Sequence, residues 1–342
     1  MRGFHWMMLF TAFFLLIGCT SQQEEDAPAS GQTTSEEEST NDNEEASELE
    51  PPEAVLQKFD TGEEVSQLKH VLHTIGYDLE DSENFDEALT WALTDFQLQS
   101  DDLLASGIYD EATSEEVQAY FENEDTLEPG EGLAMPPEEA EKTEAGTDIV
   151  GNPYDELALV NKDFALPGDY TPEDLMVPDV PFPFTEDLPK KYMRENAAHA
   201  LEDLFAAAEE EGLEMFAQSG YRSFDRQEDV FAANAAENGE EHANTYSARP
   251  GESEHQTGLA MDVTSAEVNL ELVEAFGDTE EGQWIAENAP EYGFIIRFPE
   301  GDEDITGYQY EPWHLRYVGE ETAKYITEQD ITLEEYYEEQ MN

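Results

Sequence analysis

Of the seven histidines in this chain, two stand in surroundings that could hold a cation. His255 lies in the run Ser253-Glu254-His255-Gln256-Thr257-Gly258-Leu259-Ala260-Met261-Asp262, and His314 closes Glu311-Pro312-Trp313-His314. Residues 258–263 read as a strand whose period of two sends Leu259, Met261 and Val263 to one face and Gly258, Ala260 and Asp262 to the other. The first face is apolar core. The second is stripped of bulk and ends in a carboxylate, which suits a cleft floor where a metal and a substrate backbone come close. Fully extended, His255 and Asp262 would stand roughly 23 Å apart, against metal bonds of about 2 Å, so the chain must fold back near residues 256–258, where Gly258 permits it.

A second strand over residues 313–318 sends Trp313, Leu315 and Tyr317 one way and His314 and Arg316 the other, so that His314 can face the first pair. Two imidazoles and one carboxylate make a three-ligand zinc site with the fourth position open, the arrangement of catalytic rather than structural zinc. Other divalent ions suit the same donors. Glu311, three residues before His314 and biased towards an extended conformation by Pro312, is the candidate general base. A glutamate beside the metal can take a proton from the attacking water and deliver it to a leaving amine. Taken singly, each histidine is equally well read as a core or surface residue. The joint pattern, with one cysteine in the whole chain, excludes an intrachain disulfide, a thiolate zinc cluster and a CxxC redox pair and leaves nitrogen and oxygen donors.

Arginine is scarce, yet Arg222, Arg226, Arg249, Arg297 and Arg316 all fall within residues 222–316. Any of them could serve to offset neighbouring acids. Arg222, in Ser219-Gly220-Tyr221-Arg222-Ser223 at a strand end and beside a helix N-terminus, is the candidate for gripping a free substrate carboxylate with its planar fork. No GxSxG elbow, GxGxxG run or P-loop is present, and acidic pairs are too abundant to single out a glycosidase.

The elements that must position these residues alternate unevenly. A helix is predicted over residues 190–211, with Met193, Ala197, Leu201 and Leu204 on one face and Gly212 as its stop, then a strand over 213–217. Ser223 caps a helix that runs to Asn238 and stops at Gly239. Further strands are predicted at 258–263, 293–298 and 313–318, giving an α+β domain over residues 153–330, followed by an acidic tail over 331–342. Upstream, residues 53–123 carry helical periodicity, with Thr61 and Glu64 spaced as a capping box, a helix over 86–99, and a third helix starting near Thr113. Phe85-Asp86-Glu87-Ala88 is echoed by Tyr109-Asp110-Glu111-Ala112. Residues 124–152 read as a linker rich in Gly, Pro and Glu.

The chain has 342 residues and a formal charge of −70, which argues against nucleic-acid backbones as partners. An apolar fraction of 39% is enough for packed cores. Such charge is read as an acidic surface adapted to high salt, or as charge concentrated in disordered linkers. Residues 1–19 have signal-peptide proportions and end in Leu16-Ile17-Gly18-Cys19, which resembles a bacterial lipoprotein signal with Cys19 as the lipidated residue. Residues 20–52 form a polar, acidic tether. The protein is therefore expected at the outer face of the cell membrane, lipid-anchored.

Over residues 60–122 the chain resembles the small three-helix peptidoglycan-binding module, through Gly76-Tyr77, Phe85-Asp86, Phe96-Gln97 and Gly107-Ile108-Tyr109-Asp110. From residue 161 to 318 it resembles the zinc D-alanyl-D-alanine carboxypeptidases of the VanY type, through Val160-Asn161-Lys162, Leu166-Pro167, the run from Tyr170 to Leu175, Ser219 to Ser223, Ser253 to Asp262, and Tyr310-Glu311-Pro312-Trp313-His314. The second resemblance implies one Zn2+ held by His255, Asp262 and His314, Glu311 as catalytic base, and Arg222 on the terminal carboxylate, with Gln227 and Ser253 hydrogen-bonding the peptide. It also implies a small antiparallel sheet flanked by helices, of the DD-peptidase and hedgehog-like kind. The expected activity is removal of the C-terminal D-alanine from peptidoglycan stem peptides, with the helical module on the cell wall. Alternatives are an L,D-carboxypeptidase or D-Ala-D-Ala dipeptidase of the same family, or a non-catalytic wall-binding lipoprotein.

Overall fold

The echoed pairs Phe85-Asp86 and Tyr109-Asp110 open two helices in the same way. In each, a buried aromatic precedes an aspartate whose carboxylate accepts the backbone N–H three residues on, from Leu89 at 2.9 Å and from Thr113 at 2.8 Å. They start α2 (Glu87–Leu98) and α3 (Glu111–Asn123), which pack with α1 (Glu63–Ile75) around Leu68, Leu72, Ile75, Leu93 and Phe96. The third helix thus begins two residues before Thr113, because Asp110 caps it by accepting the Thr113 N–H. Nor does Thr61 cap α1. Gly62, at φ 139°, holds the cap position with no side-chain bond, and Thr61 bridges to Asn84 instead. Gln97 ties α2 to the loop before α3, donating to the Ile108 carbonyl and accepting from the N–H groups of Ser106 and Gly107.

This computed structural model describes residues 49–341 other than 101 and 138. The signal-like segment, Cys19 and most of the tether lie outside the described residues. Pro51 and Pro52, at the end of the tether, are buried, and the Pro52 carbonyl accepts from the Tyr109 hydroxyl at 3.1 Å. No described helix is long and apolar enough to cross a membrane.

Part of the stretch read as a linker is bound down. The buried carboxylate of Asp95 accepts from the backbone N–H groups of Gly130, Gly132 and Leu133, and the Trp91 indole donates to the Ala134 carbonyl. Residues 48–342 form one compact unit, in which Lys58 pairs with Asp155 at 3.1 Å and Arg194 donates to the Ala105 carbonyl at 2.6 Å.

The remaining elements are β1 (Asp148–Ile149), β2 (Phe164–Ala165), β3 (Leu175–Met176), β4 (Met193–Arg194), α4 (Glu195–Glu210), β5 (Met215–Ser219), α5 (Phe224–Asn238), α6 (Glu240–Ala243), β6 (Ala260–Ser265), α7 (Glu280–Asn288), β7 (Phe294–Ile296), α8 (Glu303–Thr306), β8 (His314–Tyr317), α9 (Glu320–Gln329) and α10 (Leu333–Gln340). The helix expected from residue 190 starts five residues later, because Met193 and Arg194 pair antiparallel with Met176 and Leu175 before it begins. β5, β6, β8 and β7 lie side by side in that order as an antiparallel sheet, within an α+β fold. Ala197, Leu201 and Leu204 of α4 share one core with Leu259, Met261, Val263, Trp313 and Leu315, so the predicted apolar faces of both site strands are the inner face of the sheet. Each Leu, Met or Val among them contributes about 1.5–3 kcal/mol on burial.

Residues 331–342, read as a tail, carry α10 with a full capping box between Thr332 and Glu335. Leu333, Tyr336 and Tyr337 recur at three and four residues and are buried; both tyrosines meet Phe59 edge-on, at 5.7 and 5.1 Å. The intervening glutamates mask this apolar stripe in the composition.

Candidate metal centre

Asp262 and His314 are directly opposed in the register of β6 and β8, so both project from the same face as cross-strand neighbours. His314 Nδ1 stands 3.0 Å from Asp262 Oδ1. On the other side of Asp262, β5 carries a bulge between Ala217 and Ser219 that shifts its register so that Ser219 pairs with Asp262. The extra residue re-aims the strand end, and with it the turn leading to Arg222, towards the site.

His255 comes from a 3-10 turn, Glu254–Thr257, that ends on Gly258 in the left-handed region at φ 73°. A Cβ there would lie 2.9 Å from Arg194 Cγ, so this fold-back needs glycine on both counts. His255 Nε2 ends 3.5 Å from Asp262 Oδ2, and the His255 carbonyl accepts the Arg222 backbone N–H at 3.0 Å. The rings of His255 and His314 meet edge-on at 4.9 Å. Glu311 is anchored by its N–H on the Phe298 carbonyl, and its Oε2 stands 4.0 Å from His314 Nδ1.

One ligand atom from each of His255, Asp262 and His314 can be chosen so that all lie within 4.8 Å of one another, and all three residues are buried. A tetrahedral ion with bonds of about 2.0–2.1 Å needs ligand separations of about 3.3 Å. Each imidazole comes close to that spacing from one Asp262 oxygen, His314 Nδ1 at 3.0 Å from Oδ1 and His255 Nε2 at 3.5 Å from Oδ2. Two neutral imidazoles and a carboxylate suit a zinc-like divalent cation, with Glu311 beside rather than among the ligands.

The charges are arranged asymmetrically. Burial pushes the Glu311 carboxyl up to about 7, with Asp262 adding to the shift and His314 and Arg222 opposing it. Asp262 is held below the ordinary range: burial would raise it, but His255, His314 and Arg222 outweigh that. Burial, with Arg222 beside it, lowers His255 to about 3. For His314, burial is overcome by its contacts to Asp262 and Glu254, which raise it to about 9.

A cleft of about 200 Å³ opens over these groups, with Arg222, Ser253, Glu311 and Trp313 in its wall. Arg222 Nη1 donates to Gln227 Oε1 at 2.8 Å and Nη2 to Ser219 Oγ at 3.5 Å. Gln227 itself does not line the cleft. It is buried behind Arg222, its amide donating to the Ala248 carbonyl at 2.6 Å, and its bond to Nη1 steadies the guanidinium. Arg297 and Arg316 are also turned away from the cleft, fully buried behind it against Glu254. Arg249 pairs with Glu240 at the surface. Of the clustered arginines, Arg222 is the one on the cleft wall.

Sequence reasoning passed over Glu254, whose Oε2 lies 3.4 Å from His314 Nε2. Burial would raise its carboxyl, but Arg297 and Arg316 hold it well below the usual range. Its position next to His255 was the only local signal, since Arg316 reaches it from β8 and Arg297 from the bend after β7.

Residues 190–320 match the family described as VanY, D-alanyl-D-alanine carboxypeptidase, and residues 61–116 match a putative peptidoglycan binding domain. A Bacillus subtilis (strain 168) protein, putative carboxypeptidase YodJ, is 55% identical over 193 residues, covering 56% of this chain and 71% of that protein. A D-alanyl-D-alanine carboxypeptidase of Enterococcus faecalis (strain ATCC 700802 / V583) is 33% identical over 223 residues, covering 60% of this chain and 80% of the other. Among solved structures, the LdcB LD-carboxypeptidase, described as revealing the molecular basis of peptidoglycan recognition, superposes with a TM-score of 0.57 at 54% identity, over 58% of this chain and 93% of that one.

Proposed function

From the premise that this chain belongs to the VanY family of D-alanyl-D-alanine carboxypeptidases, we propose that it removes the C-terminal D-alanine from peptidoglycan stem peptides with the help of one divalent cation, Zn2+. The observation that carries the reading is the convergence of His255, Asp262 and His314 in one cleft with a raised, unliganded carboxyl at Glu311 and a guanidinium at Arg222.

His255, Asp262 and His314 would hold the cation, which when bound would supply Lewis acidity that makes water a better nucleophile and polarises a carbonyl. Arg222, pre-set by Gln227 and Ser219, takes the substrate's terminal carboxylate through a charge-assisted fork, which selects for a chain end and fixes the last peptide bond over the cleft floor. Ser253, on the same wall, is in reach of the peptide backbone. Glu311 in its ionised form takes a proton from the attacking water. As the C–N bond breaks, it returns that proton to the departing amine, and D-alanine leaves with a neutral amino group. A carboxylate beside the ligands, rather than among them, is free to serve both halves of this transfer.

The helical module is read as a wall-docking element that raises the local concentration of stem peptides through its covalent connection to the catalytic part. Export on residues 1–19 and lipidation at Cys19 would anchor the enzyme on the outer face of the membrane, a reading that rests on the sequence pattern. A second specificity, cleavage of the L,D bond in tetrapeptide stems, is favoured by the likeness to the LdcB LD-carboxypeptidase.

Mass spectrometry of pentapeptide and tetrapeptide stems after incubation with Zn2+ tests the proposal. The pentapeptide is expected to lose one alanine. Loss from the tetrapeptide alone transfers the assignment to the L,D class. Glu311→Gln, which keeps the shape and removes the base, is expected to slow turnover by about 10²–10⁴-fold. Unchanged masses for both stems would leave only a wall-binding protein.

A further inference from the structure

The buried acid behind the site leads out of it to the end of the chain. Glu254 Oε1 accepts from Arg297 Nε at 2.8 Å and from Arg316 Nη1 at 2.7 Å, while Oε2 faces His314 Nε2 at 3.4 Å. The other two nitrogens of Arg297 form a fork on Glu334, at 2.8 and 2.6 Å. Arg316 spends Nη2 on the carbonyls of Glu156 and Ala158. Glu334 is the second residue of α10 and also takes the Asn161 side-chain amide at 3.0 Å. Arg297 and Arg316 are fully buried, and Glu254 nearly so.

We infer that α10 is a positioning element of the metal centre, acting from Glu334 through Arg297 and Glu254 on His314. The inference rests on the reading of His255, Asp262 and His314 as metal ligands. Nδ1 is the His314 nitrogen on the Asp262 side, so if both residues ligate a cation Nδ1 would give its lone pair to the ion and Nε2 would carry the hydrogen. An ionised carboxylate is acceptor-only, and Glu254 at Nε2 therefore selects this tautomer and fixes the ring plane. Glu254 is in turn clamped by two guanidiniums. Glu334 supplies the second negative charge that leaves this four-group array neutral. Without it, Arg297 loses its fork and an uncompensated positive charge lies buried behind a site for a dication. The C-terminal helix is thus tied to a ligand by charge and hydrogen bonds, in addition to its own apolar packing.

The test measures metal affinity on the full chain, by chelator competition for Zn2+, together with the absorption spectrum of the Co2+ form. Glu254→Gln is expected to weaken Zn2+ binding by about 10–100-fold and to shift the Co2+ bands. Glu334→Gln, which touches no ligand, is expected to weaken it by about tenfold with a smaller shift in the same direction. Ile326→Ala loosens the core that α10 shares without touching the ion-pair array, and should bind Zn2+ as the parent does. Should Glu334→Gln fail to fold, Glu334→Asp keeps the charge on a shorter arm and should show an intermediate loss. Parent-like affinity and spectra in the Glu254 and Glu334 variants overturn the inference, as does an equal loss in Ile326→Ala. A parent protein that binds no Zn2+ overturns the metal reading itself, and the inference with it.

Discussion

Arg222→Lys keeps the positive charge in the cleft and removes the fork. In the structure the guanidinium is held from behind by Gln227 at 2.8 Å and more loosely by Ser219 at 3.5 Å, leaving its remaining N–H groups for a ligand. Burial lowers its proton affinity somewhat, with Asp262 and Glu311 opposing that, but a guanidinium stays protonated. A lysine ammonium is a point donor on a different reach, cannot use the Gln227 brace in the same geometry, and gives a carboxylate one contact in place of two. One charge-assisted hydrogen bond is worth about 1.5–3 kcal/mol, so kcat/KM on a peptide with a free C-terminus should fall by about 10–150-fold. The assay compares that peptide with its C-terminal amide. The parent should strongly prefer the free acid, and the variant should lose about tenfold or more of that preference, because the amide never used the fork. Equal losses on acid and amide, or an unchanged preference, would refute the assignment of Arg222 to the substrate carboxylate.

Two further predictions concern the joints that hold the site in place. Burial pushes the Glu156 carboxyl up from 4.5 to about 7 despite Arg194 and Arg316, so the folded state keeps a proton there that the unfolded chain releases. That contribution is full below about pH 4.5 and is lost as pH rises through about 7, about 3 kcal/mol in all. The gap in unfolding free energy between the parent and Glu156→Gln should change by that amount between pH 4.5 and 8, and a flat gap would show that the side chain is not proton-linked to folding. Lys58→Met removes the buried partner of Asp155, 3.1 Å away, and the contact to the Tyr337 hydroxyl. It should cost about 3–5 kcal/mol in urea unfolding, with partial recovery in the Lys58→Met, Asp155→Asn double variant; a loss below about 1 kcal/mol would mean that the pair does not bind the helical module to the rest.

The strand alternation in residues 258–263 and 313–318 was sufficient to bring Asp262 and His314 to one face and to send Leu259, Met261, Val263, Trp313 and Leu315 to the other, while the fold-back at Gly258 brought His255 to them. Local rules worked there because a strand's period leaves a side chain only two faces to choose from. The Ser223 cap and the stop at Gly239 were legible for the same reason: they are contacts within three or four residues of their source. Where a local signal had a competitor it failed. Gly62 displaced Thr61 as a cap, and the pairing of β4 with β3 delayed the start of α4.

What the amino-acid order decided alone was therefore the candidate donor set, the class of metal that such donors suit and the faces of the strands that carry Asp262 and His314, since these follow from residue type and period. Tertiary structure decided which arginine meets the cleft, why Gln227 backs Arg222, and how Glu334 joins the site. Arg222, Arg297 and Arg316 are chemically identical in the sequence. Their roles separate only when the sheet sets one against an open cleft and the other two against a buried acid. Glu334 and Glu254 are 80 positions apart, beyond any periodicity, and they are joined through Arg297 because burying Leu333, Tyr336 and Tyr337 sets the last helix against Ile295 of β7.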